Sequence, residues 1–171
     1  MMLRHSVFAR ALVVTFLMAA CVAYGTEDRE SAKLAEALKG TRVSLEAGLS
    51  VSERVGIPIS GEFEVTDGSL ELTVYVVKGS ELLDVTVDPK TGMVTSVEPI
   101  ADAKELSLAN SYRDVMLRAR VSLRAATEHV VQANPGFRAV SVVPTMKDGH
   151  PLAELVLVRG QEFKEIVAVL E

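Results

Sequence analysis

The sequence predicts an α+β fold of two tandem modules, each with a helix packed on a small antiparallel sheet of three to four strands. Three observations support this fold: an internal repeat, helical apolar spacing behind serine caps, and alternating strand patterns separated by glycine turns. The apolar fraction of 49% is ample for a core. The aromatic fraction is only 5%, so that core is expected to consist mainly of Val, Leu, Ile and Ala.

Three landmarks of the repeat occur twice in the same order: a serine-capped segment, an Asp-Gly turn, and a turn leading into a strand. In the first half they lie at 42–47, 67–68 and 78–85, and in the second half at 120–125, 148–149 and 159–166. Their spacing is 78 residues for the first landmark and 81 for the other two. A duplication followed by a three-residue insertion explains this order and spacing.

Each module is predicted to begin with a helix. Ser44 and Ser122 are suitable N-caps because a serine hydroxyl can accept a hydrogen bond from an N–H group in the first turn. Gly56 is expected to end the first helix, and the Asn-Pro-Gly sequence at Asn134 the second. Two further helices are predicted over 27–38 and 102–120, and the latter either continues into the helix at Ser122 or bends there.

Strands are predicted to follow both helices. In the first module Phe63 and Val65 alternate with polar residues, the Asp-Gly turn leads into a second strand, and two more turns lead into strands ending near 87 and 97. In the second module three strands are predicted at 138–145, 152–159 and 163–170. No fourth strand fits before Glu171, so an open sheet edge is expected. Either the other module or the 102–120 helix covers that edge, or it binds a strand of a partner.

The N-terminus is predicted to be a secretory signal. It combines a basic start containing Arg4 and Arg10, an apolar stretch over 11–20 that is too short to span a bilayer, and a sharply polar sequence from Thr26. A peptidase could cut before Thr26, or a lipobox-like sequence could direct lipidation of Cys21. The chain is therefore expected to be exported, periplasmic or secreted, with a membrane anchor only if Cys21 carries lipid. Cys21 is the only cysteine, which excludes a disulfide within the chain.

The predicted domain organisation has five parts. They are a signal peptide over 1–25, an N-terminal helix and linker over 26–42, a first module over 43–99, a connecting helix over 100–120, and a second module over 121–171.

This arrangement resembles the PepSY domain. The residues that carry the resemblance lie at 43–47, 63–68, 72–77 and 85–97, and the last range includes the sequence Val-Asp-Pro-Lys-Thr-Gly. The second copy, over 121–170, matches more loosely and lacks the Asp-x-x-Thr-Gly turn and the last strand. The resemblance implies an extracytoplasmic module of the kind found in metallopeptidase propeptides and envelope proteins. It also implies peptidase inhibition or protein binding, without catalytic residues.

The charge of the mature chain argues against nucleic acid as a partner. Without Arg4 and Arg10, the 18 basic residues become 16 against 23 acidic ones, a net charge of −7. No basic run follows residue 25, whereas phosphate backbones are bound by clusters of Lys and Arg.

No catalytic, cofactor or metal site is predicted. His129 and His150 are isolated, nucleotide-binding and nucleophile motifs are missing, and no cysteine follows Cys21. Glu62, Glu64 and Glu71 could act as paired acids, but their alternation with apolar residues favours a solvated outer sheet face.

We therefore predict a non-catalytic binding protein of the cell envelope that modulates a peptidase or another envelope protein. The alternative is a periplasmic carrier of a small ligand or metal ion.

Overall fold

The computed structural model describes residues 24–171, and it confirms the α+β class with four helices and one seven-stranded antiparallel sheet. The helices are α1 (Tyr24–Leu38), α2 (Leu45–Ser52), α3 (Ala103–Met116) and α4 (Leu123–Ala133). The strands are β1 (Ile57–Thr66), β2 (Ser69–Lys78), β3 (Glu81–Val87), β4 (Val94–Pro99), β5 (Arg138–Lys147), β6 (His150–Arg159) and β7 (Glu162–Val169). Cys21 and most of the predicted signal lie outside the described residues.

The sheet has the order β4-β3-β2-β1-β5-β6-β7, so the predicted sheets of four and three strands are joined in one. The junction is the antiparallel pairing of β1 with β5, where Gly61 lies opposite Val142 and Glu62 opposite Ser141. All the other pairings join strands that are neighbours in sequence. The sequence predicted the hairpins but not the junction between the halves.

Both Asp-Gly turns adopt the conformation that their sequence predicts. Asp67 and Gly68 have φ values of 51° and 78°, and Asp148 and Gly149 have values of 52° and 85°. Positive φ at both central residues is the mark of a two-residue type I′ hairpin turn, whose twist matches that of the flanking strands. These turns fix the register of the two long hairpins.

Helices α2 and α4 pack on the same face of the sheet and form one core with it. Leu45 and Leu49 of α2, Leu123 of α4 and Phe63 of β1 are all buried in this cluster. The predicted caps are confirmed: the Ala47 N–H donates to Ser44 Oγ at 3.2 Å, and the Ala125 N–H donates to Ser122 Oγ at 3.2 Å. Because the core draws on both halves of the chain, the halves share one hydrophobic interior.

Helix α3 packs against the opposite face of the sheet. In β2 the side chains alternate, so Val74 and Val76 lie in the main core while Tyr75 belongs to a second cluster. That cluster also contains Ala109 of α3. The helix ends at Met116, short of the predicted residue 120, and the chain bends before Ser122 rather than continuing as one helix.

None of the four helices within residues 24–171 is both long enough and apolar enough to cross a membrane.

Candidate functional site

The two ends of the sheet are β4 and β7. The inner edge of β7 pairs with β6 from Glu162 opposite Arg159 to Val169 opposite Leu152. Within residues 24–171 no strand pairs with the outer edge of β7, which we call the β7 edge. A terminal strand presents unpaired backbone N–H and C=O groups, so this edge can accept a further strand.

The β7 edge lacks the short length and the proline that protect the other end of the sheet. Strand β4 has six residues and ends in Pro99, and a short strand that contains proline is poorly suited to further pairing. Strand β7 has eight residues without proline. Val167 and Val169 are 61% and 60% exposed, against 43% for Val97 on β4, so β7 offers an added strand more apolar surface.

A shallow groove of about 510 Å³ runs between α4 and β7, and we call it the α4–β7 groove. Three exposed α4 residues line it at a spacing of four, so they form a stripe along one side of the helix. Two of them are alanines, which keep the groove open because their side chains are short. The lining includes Ala125, His129, Ala133, Asn134, Ile166 and Ala168.

The side chains of β7 point alternately to the two faces of the sheet. Ile166 and Ala168 lie opposite Leu155 and Ala153, which are buried in the main core, so they face α4 and the groove. Val167 and Val169 therefore point to the other face, where they are exposed. A strand added at the β7 edge would have apolar neighbours on both of its faces.

The charges around the β7 edge are mainly acidic. Glu162 accepts a hydrogen bond from Arg159 at 2.8 Å, and Glu171 Oε1 lies 2.6 Å from His150 Nδ1. Lys164 donates to Asn134 Oδ1 at 2.8 Å at the end of the groove. Glu165 is exposed and forms no ion pair within the described chain.

The predicted acidic residues of β1 and β2 are less solvated than expected. Glu62, Glu64 and Glu71 are all half-buried on the face of the sheet that α3 covers. Burial, with a contribution from the charge of Glu64, raises the pKa of Glu62 to about 7. The prediction of an outer solvated face was therefore wrong for Glu62, because no feature of the sequence indicated that α3 would pack there.

Tyr112 of α3 lies within range of the charge of Glu62. Burial raises the pKa of Tyr112 to about 12, and the charges of Glu62 and Glu154 add to that effect. The side chains of Glu62 and Thr73 are opposite one another in the β1–β2 register, and Thr73 Oγ1 has no hydrogen-bond partner within residues 24–171. Glu62, Thr73 and Tyr112 therefore form a partly buried polar region on the face of the sheet that α3 covers.

The two histidines considered in the sequence, His129 and His150, lie in different places. His129 lines the α4–β7 groove, whereas His150 contacts Glu171 next to the C-terminus. Within the described chain, no group of three or more His, Cys, Asp or Glu residues is placed to hold a metal ion.

A second shallow groove, of about 430 Å³, separates the start of β1 from the segment between α3 and α4. Arg124 at its border donates to Glu53 and to Glu128, each at 2.7 Å. Its guanidinium is thus already engaged by two carboxylates, and both ion pairs raise the pKa of Arg124. This groove has less to offer a partner than the β7 edge, where the backbone itself can pair.

The sequence predicted a second sheet without a fourth strand but left open whether that edge is covered, and it missed the groove beside the edge. The signal was the i, i+4, i+8 spacing of Ala125, His129 and Ala133, which lies outside the apolar face of α4.

The chain matches no protein-family model, no curated protein and no solved structure.

Proposed function

We propose that the protein is an exported, non-catalytic binding protein of the cell envelope that binds an extended segment of another protein at the β7 edge. The observation that carries the proposal is the combination of an unpaired eight-residue edge strand with an apolar groove beside it. An extended peptide can add to such an edge by backbone hydrogen bonds, while side-chain pockets select its sequence.

The shape of the site favours a strand over a helix or a small molecule. The groove is shallow and follows β7, and small α4 residues leave room for side chains of an added strand. A small-molecule site is usually a concave pocket with a few converging polar groups. His129 and Asn134 are the polar side chains of the groove, and Asn134 is already bonded to Lys164.

The site also fits the proposal that the chain is a duplication of one module. Strands β1 and β5 begin 81 positions apart, at Ile57 and Arg138, and so do β2 and β6. Each of β1 and β5 carries an irregularity at its third position, between Pro58 and Ser60 in one and after Ala139 in the other. In that correspondence β7 matches β3, and β3 pairs with β4 at the edge where β7 is unpaired.

The resemblance to the PepSY domain supports an envelope peptidase as one class of partner. In this proposal the protein modulates its partner by binding one extended segment of it. Export through the segment over 1–25 places both proteins in the same compartment.

A photo-crosslinking amino acid tests the site. We expect a crosslinker at Val167 to capture a specific envelope protein in the cells that make this chain, because that side chain borders the β7 edge and is exposed. The same crosslinker at Val97 on β4, which is 43% exposed, is the matched control and should capture little. Products are identified by mass spectrometry.

Equal yields from the two positions, or no product from Val167, would contradict the proposed site. The double variant Val167→Lys with Val169→Lys adds a second arm. It should reduce capture by a crosslinker placed at Ala133 in the groove, because two lysines hinder pairing at an edge strand.

Mass spectrometry of the mature N-terminus tests the export half of the proposal. We expect a chain that starts at Thr26 without modification, or one that starts at an acylated Cys21. Globomycin-type inhibition of lipoprotein processing separates the two, since it affects only the second. A chain retaining Met1 in all cell fractions would refute export.

A further inference from the structure

We infer that the β7 edge selects a short apolar segment that ends in a basic residue, added antiparallel to β7. This inference rests on the proposed function and specifies its partner. The segment has five positions, which lie opposite residues 165–169 of β7.

The orientation follows from the rest of the sheet. All neighbouring strands are antiparallel, including β4 on β3 at the opposite end. An added antiparallel strand would begin opposite Val169 and end opposite Glu165.

Apolar residues are required at four successive positions. The side chains of the added strand opposite Ile166 and Ala168 enter the α4–β7 groove. There the alanines of α4 leave room for side chains the size of valine, leucine or isoleucine. Those opposite Val167 and Val169 lie on the other face, beside two valines that are about 60% exposed. Cross-strand pairs of β-branched residues stabilise a sheet, so β-branched residues suit these two positions best.

A basic residue is required at the fifth position. It lies opposite Glu165, an exposed carboxylate without an ion pair within residues 24–171. Directly opposed charges of unlike sign stabilise a strand pair, and charges of like sign destabilise it. The neighbouring Glu154 lies opposite Val167 on β6 and adds negative charge to the same face.

A second copy of this chain fits the site less well. If two β7 strands pair antiparallel about Val167, each Glu165 lies opposite a Val169 and has no basic partner. A segment of another protein that ends in Lys or Arg can form an ion pair with Glu165, whereas pairing with a second copy leaves Glu165 without one.

Synthetic peptides test the inference with the purified chain. The probe is a fluorescein-labelled, end-blocked peptide Ser-Val-Leu-Val-Ile-Lys-Ser, and fluorescence anisotropy measures its dissociation constant. We expect it to bind about five-fold more tightly than the same peptide with Glu in place of Lys, which corresponds to about 1 kcal/mol. Glu165→Gln should largely remove that preference, and it replaces an exposed side chain, so folding is not at risk.

Two further peptides separate strand addition from nonspecific apolar binding. N-methylation at alternate residues removes the N–H groups of one edge, so the two possible N-methyl patterns should differ, with one abolishing binding. Equal binding of the Lys and Glu peptides would overturn the charge requirement, and equal binding of both N-methylated peptides would overturn strand addition.

The proposed function and this inference fail in different ways. If no peptide binds but the crosslinker at Val167 captures a protein, the inference is wrong and the proposed site stands. If neither peptide nor protein is captured, both are wrong. Sedimentation that shows a dimer dispersed by Val167→Lys would replace the foreign segment with a second copy.

Discussion

Replacing Phe63 with alanine is expected to lower the free energy of unfolding by about 3–5 kcal/mol. Phe63 is 1% exposed and is the largest of the fully buried side chains. It lies on β1, the strand that joins the two halves, and the Arg138 guanidinium of β5 lies 5.5 Å from the centroid of its ring. Removal of the ring therefore opens a cavity and also loses a cation–π contact between the halves.

Urea denaturation followed by circular dichroism measures this change. The matched control is Phe163→Ala, because Phe163 is only half-buried on the terminal strand β7 and should lose less than about 2 kcal/mol. Since one core spans both halves, we expect a single transition for the wild type and for both variants. Two separate transitions, or equal losses for the two phenylalanines, would contradict the shared core.

Replacing Glu62 with glutamine is expected to stabilise the protein above pH 7 by up to about 3 kcal/mol and to have little effect at pH 4. The pKa of Glu62 is raised from 4.5 in the unfolded chain to about 7 in the folded one. At pH 4 the carboxyl is mostly protonated in both states, so the raised pKa costs little. As the pH rises from 4.5 to 7 the unfolded state loses the proton first, and the wild type is progressively destabilised relative to the Gln variant.

Thermal and urea unfolding at pH 4, 6 and 8 tests this expectation. Glu98→Gln is the control, because it removes one negative charge from an exposed position on β4. The difference between the Glu62 variant and the wild type should grow with pH, whereas the difference for Glu98 should stay small throughout. A Glu62 variant that is less stable than the wild type at pH 8 would mean that the carboxylate has a stabilising partner when charged.

The local elements of this protein could be read from its sequence because they depend on local signals. Serine caps, Asp-Gly turns and period-two alternation are all decided by neighbouring residues, as at Ser44 and Gly68. The β1–β5 junction could not be predicted, because strand pairing uses backbone groups that every sequence has. Gly61 and Val142 carry no mark of being opposite one another.

The position of α3 was unpredictable for a related reason. Only Ala109 and Val115 are buried in this helix, so its apolar pattern is too weak to indicate which surface it covers. As a consequence, Glu62 was wrongly predicted to face solvent. For the candidate site, the strand count indicated that the second half has one strand fewer, but not whether its edge is covered. The spacing of Ala125, His129 and Ala133 marks one side of the α4–β7 groove, whereas the distance between α4 and β7 that makes the groove has no sequence equivalent.

The single pairing of β1 with β5 has a consequence for how fast the protein folds. Every other strand pair is a hairpin that can close around its own turn, in microseconds for an isolated hairpin. The junction must instead bring together Gly61 and Val142, about 80 residues apart, and pairings of such high contact order are slow to form. The folding rate is therefore expected to depend on one short junction and to be largely insensitive to the strength of the hairpins on either side.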